Sequence, residues 1–296
     1  MTYSIVARDP ASGELGVAVQ SHWFSVGPLV PWAVPGVGAV ATQANVNVAY
    51  GPRGLALLES GHDAAGALAR LLSSDPGAEG RQAAIVDAQG RVAAHTGRAC
   101  VPEAGHITGD GVSCQANIMA SNRVWPAMLS AFEGTGGPLP ARLLAALDAA
   151  EREGGDLRGR QSAALLVVAA AGERWQSVVS LRIEDHPDPL AELHRLLDLH
   201  HAYRLADEAD ELVLQQRFDE AAGLYREASE RAPGNHELLF WAGLGAAAMG
   251  DLELAVAHVR QAIALHPAWE VMLERLPAAV APAAAPVLAR LRDPAL

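Results

Sequence analysis

Residues 2–20 read Thr2-Tyr3-Ser4-Ile5-Val6-Ala7-Arg8-Asp9-Pro10-Ala11-Ser12-Gly13-Glu14-Leu15-Gly16-Val17-Ala18-Val19-Gln20. Two apolar runs of strand length flank Asp9-Pro10-Ala11-Ser12-Gly13, a cluster of turn formers, so the stretch predicts a β-hairpin headed by Thr2. A small second residue is what methionine aminopeptidases accept, so trimming of Met1 would leave Thr2 at the head of the chain. Such a threonine carries a hydroxyl and a free α-amine on one residue. The amine titrates near about 7.7–8.0, which suits a general base at neutral pH. Threonine with its own terminal amine is a recognised nucleophile–base pair. The plain alternative is an ordinary trimmed terminus feeding an edge strand.

Downstream, Val37–Thr42 reads as a further β-like stretch after a Gly/Pro/Trp-rich connection. Two helical patterns follow, about Arg53–Glu59 and Ala64–Leu72, the second with Asp63 as N-cap. A second hairpin joins Gln82–Val86 to Arg91–His95 through Asp87-Ala88-Gln89-Gly90. Val112–Ala116 is another strand. A helix opens at Ser121 or Asn122 and runs to about Phe132, and another follows Pro140 to about Glu153. Strands over about Ala163–Val168 and Val178–Ile183 close the region. Strands alternating with pairs of helices predict an α+β protein of antiparallel sheets faced by helix layers.

The 296 residues carry a net charge of −12, and half of them are hydrophobic. That permits a sizeable core and opposes nucleic acid or an anionic membrane surface as partner, since no cation excess exists to meet phosphates. All 22 basic residues are arginine. Without lysine there is no Walker A loop, no pyridoxal Schiff base and no Ser-Lys or Thr-Lys pair. Cys100 and Cys114 do not make a disulfide framework. No signal-like segment precedes the first strand and no apolar run has membrane-spanning length, so the expected location is cytoplasmic. His95 and His106 are isolated, and His194, His200 and His201 lack partners at ligand spacing, so no metal or other cofactor is expected.

From about Pro189 strand signals give way to helical periodicity. Ala221, Tyr225, Ala228 and Pro233 recur as Ala255, Val259, Ala262 and Pro267, each offset by 34, with Ala209 and Gly243 in the same register. Small residues at that period, with proline closing each unit, predict tetratricopeptide-like helix pairs. The expected division is residues 1–188, a linking helix over 189–203, and an all-α region over 204–296.

Six blocks resemble a bacterial family labelled domain of unknown function 1028, whose members are similar to N-terminal-nucleophile hydrolases. They are Thr2–Asp9, Gly38–Ala44, Tyr50–Gly54, Ile85–Arg91, Gly159–Leu165 and Asp185–Pro189. The resemblance covers about two thirds of the chain. It implies a four-layer αββα sandwich over the N-terminal part, followed by a helical appendage sometimes described as peptidoglycan-binding. The chain departs from the family pattern at Asn47-Val48, where Asn-Pro is usual, and lacks the lysine that assists threonine in proteasome-like relatives. Either the amine works unaided, or Arg8 supplies positive potential, or the site is not catalytic.

The resemblance makes Thr2 the candidate nucleophile and Asn117, at a strand end, the candidate oxyanion donor; the alternative for Asn117 is a turn-stabilising role. Ser162 is placed to hydrogen-bond the Thr2 amine, unless it is there for its small size. Gln43 and Asn45 could bind substrate amides or satisfy loop backbone. Arg160 could hold a substrate carboxylate or pair on the surface, and Ser21, beside His22, lies where relatives keep polar residues. The expectation is an amidohydrolase of small amide or peptide-like substrates. The rival is a non-catalytic scaffold whose helices bind a protein or a peptidoglycan fragment. A homo-oligomer is expected in either case.

Overall fold

The computed structural model describes residues 2–292. They divide into two compact units, one ending at His194 and the other beginning at Arg195.

In the first unit β1 (Thr2–Arg8) and β2 (Leu15–Ser21) form the expected antiparallel hairpin, with Tyr3 opposite Gln20 and Arg8 opposite Leu15. Next come β3 (Pro31–Val34), β4 (Gly38–Ala44), α1 (Tyr50–Glu59) and α2 (Ala64–Ser73). Asp63 caps α2, accepting from the Gly66 N–H at 2.7 Å. Then follow β5 (Arg81–Asp87), β6 (Val92–Thr96), β7 (Gly105–Gly109) and β8 (Val112–Asn117). The unit is completed by α3 (Val124–Gly134), α4 (Leu139–Arg152), β9 (Ser162–Val168) and β10 (Val179–Ile183).

Every strand pairing is antiparallel, in a six-stranded sheet ordered β10-β9-β2-β1-β8-β7 and a four-stranded sheet ordered β3-β4-β5-β6. Helices α1 and α2 pack on the smaller sheet and α3 and α4 on the larger, while β1, β2 and β8 face β4 and β5. Strand β1 is therefore covered on both faces. This explains why it reads as a continuous buried run rather than an alternating one. One face sends Val6 into an apolar layer with Val17, Val19, Ala39, Ala41 and Val86. The other turns Tyr3 toward α4, where its hydroxyl donates to Glu151 at 2.5 Å. Burial first, and the Glu151 charge second, push the Tyr3 hydroxyl well above its ordinary pKa.

Helix α5 (Pro189–Leu214) spans the boundary between the units. The second unit continues with α6 (Phe218–Arg231), α7 (His236–Ala248), α8 (Leu252–Leu265), α9 (Ala268–Arg275) and α10 (Ala284–Arg292). The repeated small positions are its packing positions: Ala221, Tyr225 and Ala228 of α6, and Ala255, Val259 and Ala262 of α8, are all buried. Gly243 on α7 sits where a Cβ would fall 2.8 Å from a Val259 methyl, so only glycine lets α7 and α8 approach this closely. No described helix is long and apolar enough to cross a membrane.

Candidate active site

Antiparallel pairing brings the start of β1 beside the ends of β2 and β8, and the smaller sheet brings Gln43 and Gln82 over the same end. Thr2 is opposite Asn117 in the ladder and only 6% exposed. Its Oγ1 lies 3.0 Å from the Ser21 Oγ. Its carbonyl accepts from Gln43 Nε2 at 3.3 Å and from Asn117 Nδ2 at 3.4 Å. Gln82 ties these amides together: its Oε1 accepts from Gln43 at 2.7 Å and from Asn117 at 2.9 Å. Its Nε2 donates to the Ala116 and Gly105 carbonyls and to Thr96 Oγ1. On the other side Ser4 donates to Gln43 Oε1 at 2.7 Å and accepts from Gln115 Nε2 at 2.6 Å, while Ser113 donates to Gln115 Oε1. Gln43, Gln82, Gln115 and Asn117 are buried, and each carboxamide has partners, as buried polar groups require.

The cluster carries no formal charge, so it can align hydrogen bonds without desolvating an ion. Strands β4 and β8, which carry Gln43 and Asn117, also end unusually. Ala44, after Gln43, has φ of +67°, and Ile118, after Asn117, has φ of +58°. Left-handed backbone at an alanine and at a β-branched isoleucine is strained, and such strain collects at sites that must hold a geometry.

The structure unites Thr2, Ser21, Gln43 and Asn117 and separates the other sequence candidates from them. Ser162 is two strands from Thr2, opposite Ser21. Its hydroxyl is committed to the β2–β3 connector, donating to the Trp23 carbonyl at 2.6 Å and accepting from the Val26 N–H at 3.1 Å. Ser21, not Ser162, is the hydroxyl beside Thr2. Arg8 closes the opposite end of β1, about 20 Å from Thr2 at the usual rise per residue, beside Gly13, Gly90 and Gly111. It therefore supplies no local potential to the threonine. Arg160 is ion-paired with Glu151 at 2.9 Å and Asp188 at 3.1 Å, the surface-pairing alternative. Asn45 is exposed beyond Ala44, its backbone N–H bonded to the Gly80 carbonyl.

Sequence reading missed Ser4, Gln82, Ser113 and Gln115. The available signal was a lone amide inside an otherwise apolar strand, as in Gln82-Ala83-Ala84-Ile85-Val86, since burial obliges it to find partners.

Asn47, at the departure from the family pattern, also has a definite place. It donates to Asp75 Oδ2 at 3.2 Å, and Tyr50 and Arg81 bond the same carboxylate oxygen at 3.0 and 2.9 Å. The Arg81 guanidinium, then the Gly77 N–H, hold the Asp75 carboxyl well below the usual range, while burial and Asp75 push the Tyr50 hydroxyl up to about 12. A depressed folded-state pKa means stability that is full above the unfolded value of about 3.9 and is lost as pH falls through the folded one. Asp75→Asn is expected to cost about 2 kcal/mol at pH 7. In thermal melts the gap to the native protein should narrow below about pH 4; a gap independent of pH would exclude this account.

A cleft of about 590 Å³ opens next to Gln82, lined among others by Thr96, Arg98, Cys100, Glu103, His106 and Trp125. Thr96 Oγ1 lies 2.8 Å from His106 Nδ1. Burial, then His95, lower the His106 pKa, and burial raises that of the Cys100 thiol. Both cysteines are free.

These features define an α+β protein of facing antiparallel sheets, with a buried carboxamide cluster around the first residue of its central strand and a separate helical unit after it. The chain belongs to the family of unknown function DUF1028, which it matches over residues 2–193. It is also similar to the crystal structure of protein SPO2555 from Silicibacter pomeroyi, described as a DUF1028 protein. The two are 33% identical with a TM-score of 0.61, over 66% of this chain and 87% of that one. No curated protein matches.

Proposed function

We propose that the first unit is an N-terminal-nucleophile amidohydrolase acting, after removal of Met1, on a small amide or peptide-like substrate. The layering of helices, sheet, sheet and helices is read as the αββα sandwich of that superfamily. The observation that carries the proposal is the Thr2 hydroxyl, 3.0 Å from Ser21, set in a buried carboxamide cluster at the head of the central strand. The family match, which begins at residue 2, also supports it. Thr2 Oγ attacks the substrate carbonyl and its own α-amine takes the proton, later passing it to the leaving amine. Ser21 orients the hydroxyl. Asn117 donates to the tetrahedral oxygen, exchanging the 3.4 Å contact with the Thr2 carbonyl, the longest in the cluster. Water then releases the acyl-threonine ester.

The helical unit is read as tetratricopeptide-like, with α6/α7 and α8/α9 as its two pairs. It is a module for binding a protein or peptidoglycan-fragment partner. Both readings assign the protein to the cytoplasm.

Intact mass and p-nitrophenyl acetate test the enzymatic reading together. Purified protein is expected to lack Met1 and to gain one acetyl group that peptide mapping assigns to Thr2. A retained Met1, or an acetyl group found only elsewhere, would leave the scaffold reading ahead.

A further inference from the structure

Among the described residues of the first unit, six large apolar side chains are exposed: Trp23, Phe24, Val48, Val101, Leu157 and Trp175. Their distribution is one-sided. Trp23 and Phe24 follow Ser21 at the end of β2, Val48 follows β4, Val101 lies between β6 and β7, and Leu157 precedes β9. All of these connectors leave the end of the sheets that holds Thr2, Gln43, Gln82 and Asn117. Only Trp175 sits elsewhere, on the β9–β10 connector. Of the five at the Thr2 end, the most exposed are Trp23 at 58%, Phe24 at 63% and Leu157 at 69%.

Those connectors are tied to one another and to the site. Ser162 holds the Trp23 carbonyl at 2.6 Å, the His22 N–H donates to Asp156 at 3.0 Å, and the Leu157 N–H donates to the Ile118 carbonyl at 3.3 Å. Trp23 and Leu157 are thus presented on anchored backbone, within two residues of Ser21 and one residue of Asp156 respectively. These connectors carry three arginines and the β8–α3 connector at the same end a fourth, and each is ion-paired: Arg98 with Glu79, Arg158 with Asp156, Arg160 with Glu151 and Asp188, and Arg123 with Glu153. Each of these guanidiniums is thereby partly neutralised. An apolar group meets aromatic and aliphatic surface whose burial is favourable.

We propose that Trp23, Phe24 and Leu157 form an apolar collar that binds the uncharged acyl group of the substrate, so that the protein selects amides of apolar acids. This rests on Thr2 being the nucleophile. With an acyl p-nitrophenyl ester the reaction forms the Thr2 Oγ–carbonyl bond and breaks the ester bond. The leaving p-nitrophenolate takes the electron pair and the α-amine takes the hydroxyl proton.

The test measures acylation of Thr2 by the p-nitrophenyl esters of acetic, butyric, hexanoic and octanoic acids, by nitrophenolate burst and mapped mass. The rate constant is expected to rise about fourfold per added methylene until the collar is filled. In Trp23→Ala/Phe24→Ala, and separately in Leu157→Ala, the octanoyl-to-acetyl ratio should fall at least about tenfold. Melting temperatures should stay near the native value, since these side chains are exposed. Acetylation of Thr2 with a flat chain-length series, or variants with an unaltered ratio, would overturn the collar and leave the nucleophile standing. No acylation of Thr2 by any ester would overturn both. An unaltered ratio with a smaller mass in light scattering would make the patch a contact between copies of this chain, against the proposal.

Discussion

Thr2→Ala abolishes acyl transfer, lowering it by at least about four orders of magnitude, while the fold survives. The expectation follows from the two kinds of contact Thr2 makes. Its carbonyl bonds to Gln43 and Asn117 belong to the backbone and persist in alanine. The hydroxyl contact with Ser21 is lost, which costs about 1 kcal/mol and a few degrees of melting temperature. Thr2→Ser keeps both hydroxyl and amine and should retain part of the activity. The pH profile adds a second signature. The base is the unprotonated amine, so activity should decline about tenfold per unit as pH falls below the amine's pKa. Activity that survives in Thr2→Ala, or in protein whose mass shows Met1 in place, would remove the mechanism.

Gln82→Leu should be the most damaging single change in the first unit outside the apolar core. Its carboxamide accepts from Gln43 and Asn117 and donates to Thr96, Gly105 and Ala116. Leucine is close in size, so the loss is not mainly one of packing. It takes the closest acceptor from the Asn117 and Gln43 amides and the shared donor from Thr96, Gly105 and Ala116. At about 1–3 kcal/mol for each group left unsatisfied, a loss of about 4 kcal/mol is expected in urea unfolding. Any residual activity should fall as well, because Asn117 loses the bond that orients it. A variant within 1 kcal/mol of the native protein would mean that these hydrogen bonds are readily replaced.

All the strands of the first unit but β3 and β7 were legible without the structure. β1, β2, β5 and β9 announce themselves by composition, and β1–β2 and β5–β6 by the turns that join them. β3 escaped because it is four residues long, begins on proline and lies at a sheet edge, where no ladder N–H is required of it. β7 escaped because Gly105-His106-Ile107-Thr108-Gly109 is glycine-flanked and partly exposed. The site divides on similar lines. Gln43 and Asn117 were visible as polar residues ending apolar strands. Gln82 and Gln115 lie inside strands, and the partners that draw them into the site, Gln43, Ala116 and Asn117 for Gln82 and Ser4 for Gln115, are 34 to 111 residues away in sequence, so their convergence is a property of register. Arg8 could have been set apart earlier, because seven residues of extended chain are too long to let both ends share a site.

The pairing of Thr2 with Asn117 has a consequence for the order of events during synthesis. Strand β1 takes its inner place only when β8, more than a hundred residues later, has left the ribosome. At about 5–20 residues per second that is a delay on the order of ten seconds. During it the head of the chain is open to enzymes that trim it; afterwards Thr2 is 6% exposed. Under the proposed mechanism, this interval is the one in which the terminus is not yet held in the sheet.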